Sequence, residues 1–469
     1  MYDLILKNAR VVDPVNGVNQ VADIGIENGR IAAVEPELPV AKARVLHDFA
    51  GATAIPGIID THVHLGAMWG GDQGQTMLAK AGVCTCLDLA GPIDDVIGTL
   101  GERGAGLNIA TLQFASPPYT FRDANPTVAE MDALIDASLE AGALGVKLLG
   151  GHYPLTPEVS RTLIVRARAK GAYIAWHAGT TEHGSNIEGM REAVEMADGN
   201  FLHLPHINSY CRGGVSDEIS ETLEAIALLK ANPNIYSESY ISPMNGTRLT
   251  CADGVPVSKV TCTCLVKLGF EANEAGIEQG FRAGVVNAVV KIGDESVLVT
   301  GTEGLKLWRE AGTDLGGSFP VNPPIPRIML AAAKRESGAF VVDCLSTDGG
   351  CIPRNVIVDQ GLSLVRLAAL SLDEFVRKTS FNPSRMLRLP NKGHLAVGAD
   401  ADITVLDLEA QKPLAAFVAG RPIMYRGLVV GRGANVICTA RGERSIRRQG
   451  FTPIVVDPTA APLTMGAGR

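Results

Sequence analysis

The chain has 469 residues, 46% of them hydrophobic and 20% charged, with a formal net charge of −8. That composition builds a large core and excludes a disordered chain, and its acidic balance excludes a nucleic-acid binder relying on bulk positive charge. Nine cysteines over this length do not read as a secreted disulfide framework, no apolar run of about 18 residues predicts a membrane span, and Asp3 interrupts too short an apolar start for a signal peptide. A cytoplasmic protein with a small-molecule substrate, and no nucleic-acid or membrane partner, is expected.

Residues 1–55 read as short strands broken by turns at Pro14, Asn16-Gly17 and Asn28-Gly29. Residues 390–440 have the same texture, in Asp402-Ile403-Thr404-Val405-Leu406 and Ile423-Met424-Tyr425. The two ends are expected to form one small β-sandwich domain. Between them, residues 56–389 alternate strand and helix. Strands are expected at 58–64, 83–89, 108–115, 143–149, 173–178, 201–207, 234–238 and 340–346, and helices at 127–141, 157–170, 187–196 and 217–231. Eight strands with intervening helices predict an α/β fold, a (β/α)8 TIM barrel. About a hundred residues separate the seventh and eighth strands, so 250–330 is expected to be an inserted lid or subdomain, helical at 274–290. Residues 441–469 are expected to be a C-terminal tail, poorly ordered after Gly450, with Arg441, Arg444, Arg447 and Arg448 a solvated surface.

Barrel enzymes carry their chemistry at the C-terminal ends of the strands. In Asp60-Thr61-His62-Val63-His64, strand alternation puts both imidazoles on one face, about 7 Å apart, able to grip one metal ion. Lys147 is a lone cation within an apolar strand; burial lowers its pKa, and a neutral amine reacts with carbon dioxide to give an anionic carbamate. His177 and His206 each end a strand candidate, with His203 a competitor for His206. Asp348 follows the eighth strand, placed to ligate metal and take a proton from water. Tyr119 and Arg122 follow strand three, and Tyr210 and Arg212 follow strand six, as candidate substrate contacts; Arg212 suits a carboxylate. For each of these four, an ordinary loop residue is the alternative. His47, His152, His183 and His394 read as surface or loop residues, and Cys262-Thr263-Cys264 as structural.

The order His-x-His on strand one, Lys on strand four, His on strands five and six and Asp on strand eight resembles the amidohydrolase superfamily. So do the run from Ala54 to His64 and Gly398-Ala399-Asp400-Ala401-Asp402-Ile403. Lys147 is similar to the strand-four lysine of the hydantoinase, dihydropyrimidinase, allantoinase and dihydroorotase branch. Ser346-Thr347-Asp348-Gly349-Gly350 looks more like the Ser-Asp-Gly ending of D-aminoacylases and isoaspartyl dipeptidases, whose bridging Cys has its nearest analogues in Cys84 and Cys86. Residues 186–213 faintly resemble the amidohydrolase subunit of formylmethanofuran dehydrogenase.

The resemblance implies two divalent ions, zinc first, with iron or manganese as alternatives. It implies His62 and His64 on one ion, His177 and His206 on the other, carboxylated Lys147 between them and Asp348 completing the first. It further implies attack by a hydroxide held between the ions on an amide carbon, with Tyr119 polarising the carbonyl and Asp348 carrying the proton to the leaving nitrogen. A homo-oligomer is expected on the same ground. Two other classes stand beside it. One is a one-metal deaminase, which needs a Glu close after the strand-five His, where Glu182 is too distant. The other is a non-catalytic scaffold, which would have lost its ligands.

Overall fold

The computed structural model describes residues 1–66 and 71–460. Its central sheet is parallel and runs through β1 (Ile58–His64), β2 (Val83–Ala90), β3 (Ala105–Ala115), β4 (Gly145–Leu149), β5 (Tyr173–His177), β6 (Leu202–Leu204), β7 (Ile235–Tyr240) and β8 (Cys344–Ser346) in chain order. β8 pairs with β7 at Cys344–Ser346, and just beyond it Gly349 and Gly350 pair with Val63 and His64 of β1. The sheet thereby closes into a (β/α)8 barrel. Its strands read as near-continuous apolar runs because helices cover their outer faces. The helix Val128–Ala141, for example, starts in a capping box between Thr127 and Glu130 and buries Met131, Ile135 and Leu139.

The lower half of the barrel is filled by one apolar cluster. Leu87, Leu112, Tyr173 and Tyr236 pack there with Met386, Leu387 and Leu389. Tyr173 and Tyr236 lie at the starts of β5 and β7, so this end is plugged and the chemistry is left to the other.

The β-rich domain draws five strands from the first 56 residues and four from 403–429 into one nine-stranded sheet. Its first strand, Tyr2–Asp13, pairs with 43–48 along one half and with Thr53 and Ala54 along the other. The sheet therefore splits and folds over a core of Leu6, Val11, Ile24, Ala54, Ile403 and Phe417.

Four segments depart from the sequence expectation. β6 stops at Leu204 rather than 207: Pro205 has no N–H to give the ladder, and His206 takes φ +43°. The expected helix over 274–290 ends at Arg282; Gly284 turns the chain at φ +76°, and the valine-rich stretch after it is strand Asn287–Ile292. Residues 433–438, grouped by texture with the small domain, pair instead with the start of β3. The tail, too, is structured over 441–460, with a helix at Glu443–Arg448 and a strand, Thr452–Val455, beside 433–438. The cause is an open edge: β4 joins β3 only from Leu112 onward, which leaves 105–110 without a partner on that side. The remainder of that tail, 461–469, lies outside the described residues.

Between β7 and β8 stands a subdomain with its own core of Leu249, Leu265, Ile277, Phe281, Trp308 and Phe319. Its strand Asn245–Arg248 pairs with Gly316–Phe319, so both stems leave the barrel side by side. It touches loops that follow several barrel strands: Lys291 pairs with Asp72, Lys267 donates to the carbonyl of Arg212, and Arg354 donates to that of Met244 at 3.1 Å.

Candidate metal centre

Six side chains from five strand ends face the open end of the barrel. His62, His64 and Asp348 form one buried group whose ligand atoms lie within 4.8 Å of one another. Asp348 Oδ1 is 2.8 Å from His64 Nε2 and 3.2 Å from His62 Nε2. Its backbone takes φ +54° and donates its N–H to the carbonyl of His62 at 2.9 Å, which ties the turn after β8 to β1.

A second group stands beside the first. His206 Nε2 is 3.2 Å from His177 Nδ1, with ring centroids 4.3 Å apart, and the His62 and His206 rings are 5.2 Å apart. The far nitrogens are held by hydroxyls, His177 Nε2 by Ser185 at 2.8 Å and His206 Nδ1 by Ser209 at 2.6 Å. Two nitrogens on one tetrahedral zinc, each about 2.0–2.1 Å from it, lie roughly 3.3 Å apart, so this pair already has the spacing of a metal clamp. His203, the competitor, sits lower on β6 and is fully buried, its Nδ1 3.3 Å from the Tyr173 hydroxyl.

Burial lowers the pKa of His62, His177 and His206 well below the usual value and that of His64 less far. The imidazoles are therefore neutral, the form that binds metal. Lys147 is buried, and among the described residues its ammonium makes one hydrogen bond, a long 3.5 Å contact to the carbonyl of Leu89. Burial brings it down to about 8, against the pull of Asp348, Glu238 and Asp88. A buried amine near neutrality, unpaired with any carboxylate among the described residues, fits the carbamate chemistry.

Sequence reasoning missed three residues. Glu238, within β7, lies 2.7 Å from His62 Nδ1 and accepts from the Ser346 hydroxyl; burial pushes it up to about 8. A lone acid inside a strand with no other charged residue was the available signal. Arg354, 4% exposed, pairs with Asp348 Oδ2 at 2.6 Å and donates to the Asp348 carbonyl. Burial opposes ionisation of Asp348, but Arg354, with His62 and His64, outweighs it and holds that carboxyl well below its usual range. His152, read as a surface or loop residue, is exposed in the loop after β4. Its ring nonetheless lies 5.4 Å from that of His177. Gly150 and Gly151 bring it there, since a Cβ on Gly151 would overlap His177 Nε2.

The remaining candidates do not join the two donor groups. Tyr119 is 56% exposed, its hydroxyl 3.4 Å from that of Tyr153. The Arg122 side chain is 93% exposed and pairs with Asp123, so it faces solvent. Tyr210 is buried, its hydroxyl accepting the Ala178 N–H at 2.9 Å, a strap between the loops after β5 and β6. Arg212 is held by Asn322, Tyr240 and Asn245. Cys84 turns to the carbonyls of Ile403 and Phe417, and Cys86 packs in the outer apolar layer with it, so neither thiol stands in for Lys147. Glu182 is exposed and groups with His183 and Glu192, apart from the His62 cluster.

The Amidohydrolase family profile matches residues 53–431. A dihydroorotase of Pelotomaculum thermopropionicum is 27% identical over 460 residues, covering 90% of this chain and 94% of its own. An allantoinase of Bacillus licheniformis is 24% identical over 483 residues, covering 93% and 94%. Among solved structures, N-acyl-D-glutamate deacylase from Bordetella bronchiseptica, complexed with zinc and a phosphonate mimic of the tetrahedral intermediate, aligns with a TM-score of 0.66 at 15% identity, over 93% of this chain and 99% of that one. At that identity the likeness speaks for the fold alone.

Proposed function

Because this chain belongs to the amidohydrolase family, we propose that it is a metal-dependent hydrolase cleaving the carbon–nitrogen bond of a small amide, cyclic or acyclic. The observation that carries the reading is the convergence of two donor groups, His62–His64–Asp348 and His177–His206, around a buried Lys147. The dihydroorotase and allantoinase relatives support a cyclic substrate, and an N-acyl amino acid is the acyclic alternative.

His62, His64 and Asp348 would hold one divalent ion and His177 and His206 a second, with zinc the first choice for imidazole ligands. Lys147, as its carbamate, would join the two. The ions supply a Lewis acid for the carbonyl oxygen and make water more acidic. The chain's own residues do the rest. Glu238, Ser185 and Ser209 fix the imidazole rings from behind. Arg354 occupies Oδ2 of Asp348, leaving Oδ1 to take a proton from the attacking water and pass it to the leaving nitrogen. The subdomain between β7 and β8 serves as a lid that excludes bulk water. Nine cysteines spread over a long chain accord with a reducing compartment, the cytoplasm, and family resemblance adds a homo-oligomer.

The test is a hydrolysis screen of zinc-reconstituted protein over hydantoins, dihydropyrimidines, N-acyl amino acids and isoaspartyl dipeptides. Turnover of one class is expected, falling by about 10²–10⁴ in Asp348→Asn. No amide hydrolysis by metal-replete protein, or full activity in that variant, would overturn the reading.

A further inference from the structure

Among the described residues, no carboxylate pairs with Arg212. Its Nε donates to Asn322 Oδ1 at 2.8 Å, and its Nη2 donates to the Tyr240 hydroxyl at 2.9 Å and to Asn245 Oδ1 at 3.0 Å. All three acceptors are neutral. Glu221, the nearby acid on the following helix, is spent on backbone N–H groups of Gly213, Val215 and Ser216. Nη1 has no partner among the described residues. A half-buried guanidinium fixed by neutral oxygens, with two N–H donors left over, keeps those donors open to an anion.

Its setting is close to the metal centre. Tyr240 stands between them: its hydroxyl takes the Arg212 bond, while its ring lies 6.3 Å from that of His206. The cradle is also rigid. Asn322 is 4% exposed, and its amide donates to the Tyr240 hydroxyl at 2.6 Å and to the carbonyls of Ser242 and Met244 at 3.2 and 3.0 Å. Asn245 and Asn322 sit on the two stems of the inserted subdomain, so the stems that carry the lid also aim the guanidinium.

We infer that the substrate is an amide bearing a carboxylate, and that Arg212, set by Asn245, Asn322 and Tyr240, anchors that carboxylate one tyrosine length from the scissile bond; this rests on the amidohydrolase reading above. A single guanidinium with neutral neighbours matches a monoanion better than a phosphate dianion, since the Lys267 ammonium is taken by the Arg212 carbonyl.

The zinc-reconstituted full chain is assayed on matched pairs, N-acetyl amino acids and hydantoin-5-acetic acid, each against its primary carboxamide. Wild type is expected to favour the hydrolysed carboxylates by about 100-fold in kcat/KM. Arg212→Ala should bring that ratio below about 10, chiefly through KM, and Arg212→Lys should fall between, keeping the charge without the fork. Equal turnover of both members by wild type, or an undiminished ratio in Arg212→Ala, overturns the anchor and leaves the amidohydrolase reading standing. If no pair is hydrolysed, that reading fails, and the anchor is decided by thermal unfolding with succinate or inorganic phosphate. Succinate should raise the Tm of wild type more than that of Arg212→Ala. Equal shifts in the two proteins, or a larger shift with phosphate, overturn the carboxylate assignment.

Discussion

His177 Nδ1 and His206 Nε2 face each other at 3.2 Å across the ends of β5 and β6. The two strands meet lower down, where Ala175 pairs with His203. Beyond that point Pro205 ends the ladder, and the φ of +43° at His206 swings its ring toward His177. The clamp is thus made by a chain that has left its strand, which is why ordinary strand alternation does not predict it.

The loop after β4 leaves His177 no freedom. Because a Cβ on Gly151 would overlap His177 Nε2, Gly151→Ala should displace that ring. Zinc bound after reconstitution is expected to fall from two per chain to one, with activity down about 100-fold or more and the circular dichroism spectrum unchanged. Two zinc ions with full activity in this variant would refute the tight approach.

Glu238 acts on His62 from behind, at 2.7 Å. Glu238→Gln should keep the fold yet weaken zinc about 10–100-fold, as measured by chelator competition. Unchanged affinity would mean that the contact does not orient the ligand.

Asp348 and Arg354 give a pH dependence in the metal-free protein. The Asp348 carboxyl is held well below its usual range, so it binds fewer protons folded than unfolded. Its contribution is present above an unfolded value of about 3.9 and is lost as pH falls through the lower folded value. Arg354→Met leaves the carboxylate buried and unpaired, and should cost about 3–5 kcal/mol at pH 7. The gap from wild type should narrow when denaturant unfolding is repeated below about pH 4. A gap that stays constant or widens there would contradict the ion pair.

How much of this could be read from the sequence depended on whether a residue's partner was local. His62 and His64 were legible because two imidazoles on one face of an apolar strand have few structural uses. Lys147 was legible because a buried cation needs a reason. Arg354 was not, since only the turn after β8 brings it to Asp348. His152 is the exposed loop residue it looked like, but nothing in its neighbours along the chain reveals that the loop brings its ring within 5.4 Å of that of His177. Residues 433–438 were grouped with the small domain on β texture, which does not reveal which open edge a strand will cover.

The central claim is a two-ion centre joined through Lys147. Diffraction from crystals of protein reconstituted with zinc and bicarbonate, measured at the zinc edge, tests it most directly. The account predicts two anomalous peaks, one against His62, His64 and Asp348 and one against His177 and His206, with carbamate density on Lys147 Nζ reaching both. A single peak, or two peaks beside a bare Lys147 amine, would contradict it.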